Sequence, residues 1–312
     1  MLKNIRAFFD EKNIIEVETP LLSHASTTDP HLNSLQSKFR DETCFLNTSP
    51  EYAMKRLLAS WGEPIFQICK AFRDDELGVN HNPEFTLLEW YRPGYDMAQL
   101  MTELVELVSI LCSVGASGGV SKKPDFEMLS YQQAFEDYVG INPHLTTVAE
   151  CHQAALLHNI EIPRGMDASD DDLNGWMDWL LTQLVLPQFQ EHSFTVLYDY
   201  PAAQCSLAKI ATNDQQFLVA KRFELFFGEI ELANGFHELT DAQEQLRRFK
   251  LENQTRQRNG KENGVIDTRL IAALGYGLPE CSGVAMGLDR LLMVLTETKH
   301  IERVISFSWQ NA

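Results

Sequence analysis

The sequence predicts an α+β fold, and three observations carry that reading. Arg222 to Leu239, RFELFFGEIELANGFHEL, alternates its side chains on both sides of Gly228-Glu229, the pattern of an antiparallel hairpin with a two-residue turn. Ile65 to Arg73 and Phe85 to Tyr91 read as two strands flanking one polar loop. Around these strands lie segments of helical composition or apolar spacing: Asn4 to Lys12, Tyr52 to Ser60 and Met97 to Cys112.

Composition narrows the class of protein. With 312 residues, 44% of them hydrophobic, the chain can build one large domain or two small ones around a substantial core. No apolar run approaches the roughly 20 residues of a membrane span, and MLKNIRAFFDEKN lacks a signal-peptide core, so the cytoplasm is the expected location. The six cysteines are scattered without a close pair, which indicates neither a zinc site nor a disulfide framework. The 26 basic side chains against 44 acidic ones leave a net charge of -18, which repels a polyanion such as nucleic acid.

In chain order, the first helix turns Ile5, Phe8 and Phe9 inward and leads into Ile14 to Thr19, an alternating strand stopped by Pro20. Phe45 to Glu51 is a short strand and turn, with Pro50 near the start of the helix that follows; Ser49 and Glu51 suit the capping of that helix. Asp96 is placed to cap the helix from Met97, after which SVGASGGVSKKP reads as a turn-rich linker. Residues 113–193 carry no recognisable chemistry: Leu129 to Tyr138 and Val148 to His158 read as short helices, and Ser169 to Asp172 caps a longer one. Phe194 to Pro201 is a strand, Gln216 to Ala220 leads into the central hairpin, and Thr240 to Gln243 is a capping box opening a solvated helix to about Arg258.

The central hairpin gathers three carboxylates into a segment that otherwise reads as buried strand. With the turn at Gly228-Glu229, Phe227 pairs with Ile230, and Glu224 and Glu231 become diagonal neighbours on one face, about 7–8 Å apart, where a divalent cation fits between them. Glu238 lies an odd number of residues beyond Glu231, so a bulge at Asn234-Gly235 is needed to return it to the same cavity. The alternative is a solvated strand face with three unrelated glutamates. The loop after Arg73 carries Asp75, His81 and Asn82, groups suited to a nucleotide, and Arg73 at a strand end can meet a phosphate with two parallel donors. Gly283, Ala285 and Gly287 alternate along a strand, leaving a face flat enough for a planar base, with Arg290 in the next helical turn.

Taken together, Val17-Glu18-Thr19-Pro20, Ala71-Phe72-Arg73 with its loop, and Gly283-Val284-Ala285-Met286-Gly287-Leu288-Asp289-Arg290 resemble the three signature motifs of class II aminoacyl-tRNA synthetases, in the right order. ELANGFHELTDA and the Ser49-Pro50-Glu51 turn are similar to the lysyl-type active site, and the resemblance is weakest over residues 113–193. It implies a mainly antiparallel sheet flanked by helices, a single catalytic domain over 1–312, and a homodimer. Because the first motif begins within the first twenty residues, no anticodon-binding domain is expected, and the chain resembles the truncated lysyl-type paralogues that attach (R)-β-lysine to a lysine of translation elongation factor P.

The resemblance also implies roles. Arg73 meets the α-phosphate of ATP, Phe85 and Arg290 cover the two faces of adenine, and Asp75, Asn82 and Gly287 add nucleotide contacts. Glu224 and Glu231 become Mg2+ ligands, with Arg73 and Glu231 the catalytic pair. Ser49, Glu51, Tyr91, Glu238 and Ala285 line a pocket for (R)-β-lysine or lysine, in which Glu238 faces the distal ammonium and gains a partner only when the diamine binds. Asp75 departs from the Glu usual in the second motif, and Ala285 from the Gly of lysyl enzymes, so its methyl group takes volume beside the substrate backbone. A tRNA-aminoacylating enzyme, a catalytically silent synthetase-like subunit and an amide-forming ligase are the rival readings. The absence of tRNA and membrane from the expected partners follows from charge and hydropathy.

Overall fold

A computed structural model describes residues 1–74, 76–115, 124–167 and 172–312. Asp75, most of the linker after Gly115 and Ser169 to Asp171 lie outside the described residues. The chain divides into two units, the first comprising Met1–Lys123 and His237–Ala312, the second Pro124–Phe236. No helix among the described residues is long and apolar enough to cross a membrane.

Unit 1 opens with α1 (Leu2–Glu11), which buries Ile5, Phe8 and Phe9 as its spacing predicts. The Phe9 ring stacks on Phe66 at 4.4 Å and leans on Trp90 at 5.4 Å. Asn13, at φ 56°, turns the chain into β1 (Ile15–Glu16), much shorter than the alternation of 14–19 suggests. Both of its residues are exposed and its partner lies on one side only, so little holds it beyond Ile15 and Val17 donating to Pro64 and Phe66. A small sheet follows, β2 (Leu22–Ser23), β3 (Gln36–Phe39) and β4 (Glu42–Leu46), in the order β2-β4-β3. Next come α2 (Glu51–Trp61), β5 (Ile65–Phe72), β6 (Glu84–Pro93) and α3 (Met97–Gly115). Asp96 caps α3, its carboxylate accepting from the Gln99 amide at 2.8 Å.

Unit 2 runs through β7 (Phe126–Ser130), α4 (Tyr131–Tyr138), α5 (Val148–Leu157), α6 (Leu173–Leu180), β8 (Phe194–Pro201), β9 (Ile210–Thr212), β10 (Leu218–Phe227) and β11 (Ile230–His237), whose last residue already belongs to unit 1. The helix read over 129–138 starts only at Tyr131. Leu129 and Ser130 complete β7 beside β8, and the Ser130 hydroxyl accepts from the Gln133 amide at 3.1 Å, which fixes the start of α4. Tyr131, Phe135, Trp176, Leu180 and Phe226 belong to one buried cluster that is the core of this unit. Asp172, the described residue of the predicted cap, accepts from the Gly175 amide at 2.9 Å.

The β10–β11 hairpin pairs Phe227 with Ile230, as the turn residues dictate. Its bulge, however, lies between the Phe226–Glu231 and Leu225–Ala233 pairs, so Leu232 is the extra residue and Asn234-Gly235 is regularly paired with Glu224 and Phe223. The bulge brings Asn234, rather than Ala233, opposite Glu224.

Returning to unit 1, the chain forms α7 (Ala242–Arg258), α8 (Thr268–Gly277), β12 (Cys281–Gly287) and α9 (Leu288–Leu295). Within this unit β1, β5, β6 and β12 lie side by side in that order, β5, β6 and β12 antiparallel. Asp241, one residue after Thr240, is the cap of α7, accepting from Gln243 and Glu244 amides at 2.8 and 3.0 Å. That helix is less solvated than its charge suggests. Arg256 is buried and donates to the carbonyls of Glu262, Asp29 and Leu32, because a guanidinium with five donors can satisfy several loop carbonyls at once.

Candidate active site

β6 and β12 set the register of the unit 1 site. Gly283 pairs with Tyr91, Ala285 with Glu89 and Gly287 with Leu87, so the small residues of β12 share a face with Tyr91 and Glu89. A methyl group on Gly283 would come within 2.3 Å of the Tyr91 ring and 2.7 Å of Glu238 Oε1, so only glycine fits there. The expected flat face is therefore already covered at Gly283 by Tyr91 and Glu238.

The amino-acid residues predicted from sequence in this unit come together, and they bring Lys55 and Glu89 with them. Ser49 precedes α2, and its hydroxyl accepts from the Glu51 amide at 3.0 Å while donating to Glu89 Oε2 at 2.7 Å. The Tyr91 hydroxyl donates to Glu89 Oε1 at 2.6 Å. Lys55, one turn along α2 from Glu51, reaches Glu51 at 2.7 Å and Glu238 Oε2 at 2.5 Å. Lys55 and Glu238 each have only 1% of their side chains exposed, so this ion pair is out of water. The expectation that Glu238 has a partner only when a diamine binds is thus corrected: Lys55 already supplies one on Oε2, while Oε1 lies against Gly283.

Burial controls the ionisation of this cluster. Desolvation, with Glu51 adding, pushes the Glu89 carboxyl up to about 7, against the pull of Tyr91, Ser49 and Lys55. Desolvation likewise pushes Glu238 up to about 8, with Lys55 opposing. Burial alone would lower Lys55, but Glu238 and Glu51 more than offset it and hold the ammonium charged.

The nucleotide residues lie at the other end of β5 and β6. The Arg73 guanidinium sits 5.1 Å from the centre of the Phe85 ring and 3.4 Å from Glu76. Its Nε is buried with no hydrogen-bond partner among the described residues, which suits an incoming oxyanion. Arg290, in the first turn of α9 after Gly287, donates to the Asn80 carbonyl at 3.1 Å and meets His81 Nε2 at 2.5 Å. Burial and the charge of Arg290 lower the pKa of His81, so the ring is neutral and accepts. The Asn82 amide is engaged at both ends, donating to the Glu84 carbonyl at 2.6 Å and accepting from the Trp309 amide at 2.9 Å. It holds the loop and the C-terminal tail in this structure.

Unit 2 carries the predicted metal pair. Glu224 is buried, takes the Tyr200 hydroxyl at 2.6 Å and the Asn234 amide at 3.3 Å, and is ion-paired with Arg222. Burial disfavours the Arg222 charge, but Glu224, Tyr200 and Glu231 together raise its pKa, so this guanidinium answers both glutamates. Among the described residues no group of three or more His, Cys, Asp or Glu side chains can hold a metal. Two carboxylates nevertheless fit magnesium, which keeps several waters and is commonly bound by one or two carboxylates plus substrate phosphates. Asn234 Oδ1, buried without a partner beside Glu224, adds a hard oxygen.

Sequence reasoning missed Lys55, Glu89, Arg222 and Asn234 as site residues. A signal existed for two of them: Glu51 and Lys55 stand four apart on a helix, and Glu89 is a lone carboxylate between Leu87-Leu88 and Trp90-Tyr91.

The family model for tRNA synthetases class II (D, K and N) matches residues 1–311. The chain is 42% identical over 318 residues to a Haemophilus influenzae (strain PittGG) protein named elongation factor P--(R)-beta-lysine ligase, covering 100% of this chain and 94% of the relative. A Pseudoalteromonas translucida (strain TAC 125) protein of the same name is 44% identical over 313 residues, 98% of this chain and 92% of its own. The Salmonella paratyphi B (strain ATCC BAA-1250 / SPB7) protein, also so named, is 41% identical over 318 residues, again 100% of this chain and 94% of the relative.

Proposed function

The chain belongs to the class II tRNA synthetases of the D, K and N type, and from that membership we propose that it activates (R)-β-lysine, or lysine, as an aminoacyl-adenylate and transfers it to a lysine side chain of translation elongation factor P. The observation that carries this is the carboxylate cluster of Glu51, Glu89 and Glu238, the last two buried, in a chain similar over its full length to three proteins named as such ligases.

The reaction has two steps. The substrate carboxylate attacks the α-phosphorus of ATP and pyrophosphate leaves; the acceptor amine then attacks the acyl carbon and AMP leaves. No covalent bond to the protein forms, so catalysis is positioning and charge stabilisation. Arg73, with its unpartnered Nε, is assigned to the α-phosphate; Phe85 and Arg290 to adenine; Asp75, Asn82 and Gly287 to further nucleotide contacts. Glu224 and Glu231 are assigned to Mg2+, which when bound offsets the negative charge of phosphate oxygens. Ser49 and Tyr91 orient Glu89, and Glu238 Oε1 is offered to a substrate ammonium.

The same proposal treats residues 1–312 as one catalytic domain that works in the cytoplasm as a homodimer, and light scattering that gives the mass of a single chain would remove the dimer. Exchange of labelled pyrophosphate into ATP, dependent on (R)-β-lysine or lysine and roughly a hundredfold weaker with norleucine, tests the first step. Equal exchange with norleucine would exclude a diamino acid as the substrate.

Ala285 is assigned to the choice between isomers. Its pairing with Glu89 between β12 and β6 supports a place for its methyl group beside the substrate backbone, where it can favour a displaced amino group. Ala285→Gly is expected to raise exchange with α-lysine relative to β-lysine, and unchanged relative efficiencies would remove Ala285 from selectivity.

A further inference from the structure

Three carboxylates, the buried Glu89 and Glu238 and the partly exposed Glu51, lie about the ammonium of Lys55 in unit 1, Glu51 and Glu238 in direct contact with it and Glu89 within its electrostatic reach. The other titratable neighbours are Tyr91 of β6 and Cys281 of β12, which burial and the carboxylates hold protonated, Cys69 of β5 and Tyr52 of α2, held protonated by burial with Glu89 and Glu51 adding, and Glu252 of α7, which burial pushes up to about 7 and which faces Thr28. His237, next to Glu238, is occupied by Glu280 and Ser282. Three carboxylates less one ammonium leave two negative charges without a partner. Water cannot compensate them, because Glu89 and Glu238 are 2% and 1% exposed. The cluster answers by keeping protons on its acids, in line with the raised Glu89 and Glu238 carboxyls.

We propose that Lys55 sets the charge count of this cluster: seated between Glu51 and Glu238, it answers one of the three carboxylate charges and leaves two to be answered by the substrate, so a diamino acid is selected and its ammonium groups replace carboxyl protons on binding. This deepens, and rests on, the assignment of the pocket to lysine or β-lysine. The exchange is balanced. Each carboxyl gives its proton to the buffer, the substrate keeps its ammonium protons, and Lys55 stays charged throughout. Charge count does not depend on which carbon bears the amine, so both isomers meet the requirement and the choice between them falls to shape. Lys55 acts through the carboxylates and is a positioning residue.

Titration calorimetry of the full chain with (R)-β-lysine and with L-lysine, at pH 7.5 in two buffers of different ionisation enthalpy, reads the proton exchange directly. With acids at about 7 and 8, release of on the order of one proton per substrate is expected. Binding without proton release would overturn the proposal. Failure of both diamino acids to bind would instead overturn the substrate assignment beneath it.

Lys55→Met keeps the apolar stem and removes the charge. It is expected to raise the KM for lysine roughly tenfold or more with the KM for ATP unchanged, since a buried charge cluster that loses one member is strongly penalised. It should also raise the number of protons released, because the acids hold theirs more tightly without the ammonium, and Lys55→Arg should restore much of both. A Lys55→Met protein with wild-type KM and proton count would show Lys55 to be structural only and defeat the proposal. If that variant does not fold, the wild-type proton count decides alone.

Discussion

Replacing Arg73 with alanine is expected to abolish amino-acid-dependent exchange of pyrophosphate into ATP. The guanidinium is preorganised: the Phe85 ring lies beneath it and Glu76 draws it at 3.4 Å, while its buried Nε has no partner among the described residues. A donor fixed where negative charge develops costs no reorganisation during reaction, and its removal lowers rates on the order of 10²–10³-fold. Lysine at this position should recover little, because a point charge does not reproduce two parallel donors. Exchange by Arg73→Ala within about tenfold of wild type, equivalent to under about 1.4 kcal/mol of transition-state stabilisation, would remove Arg73 from the chemical step.

Glu238→Gln is the second large effect. The substitution keeps the shape of the side chain but removes the charge that Lys55 meets on Oε2 and that Oε1, against Gly283, is proposed to offer to the substrate. Lys55 retains Glu51 at 2.7 Å, so the fold loses less than the roughly 3–5 kcal/mol of a buried pair broken outright. The substrate has no such reserve. Losing one charge-assisted hydrogen bond, worth about 1.5–3 kcal/mol, should lower kcat/KM for lysine roughly ten- to hundredfold. Exchange with norleucine should be unaffected, so the preference collapses. An unchanged preference for lysine over norleucine would exclude Glu238 as the ammonium ligand.

Local signals in the sequence reach far into this fold. Ile5, Phe8 and Phe9 mark the buried side of α1, Gly228-Glu229 fixes the Phe227–Ile230 pair, and Asp96 caps α3. What escapes a sequence reading is set by tertiary partners. The bulge at Leu232 leaves a trace only in the adjacent apolar pair Leu232-Ala233, whereas Asn234-Gly235 offered a stronger but misleading turn signal. β1 is short because its partner lies on one side only, which alternation cannot show.

The site divides in the same way. Ser49, Glu51, Tyr91 and Glu238 converge as motif spacing suggests, since Ser49 and Glu51 stand at the start of α2, Tyr91 on β6, and Glu238 just past β11, its amide donating to the Cys281 carbonyl at 3.0 Å. Lys55 and Glu89 were hidden because a lysine on a helix and a glutamate on a strand are ordinarily exposed. Only the packing of α2 and β6 shows that both are buried. Asn82 was assigned to nucleotide from its motif, yet its amide donates to Glu84 and accepts from Trp309, the latter a contact between residues 227 apart that no local pattern announces.

The acceptor remains the central claim. The net charge of -18 disfavours a long phosphate backbone, whereas a basic, protruding loop of a protein is drawn toward an acidic surface and can present a lysine to the adenylate. Incubating the chain with ATP and labelled (R)-β-lysine in the presence of purified elongation factor P or of purified tRNA decides between them. Label appearing on a lysine side chain of the factor, located by mass spectrometry, with tRNA remaining unlabelled, is the predicted result; transfer to tRNA at a rate matching or exceeding transfer to the factor would contradict it.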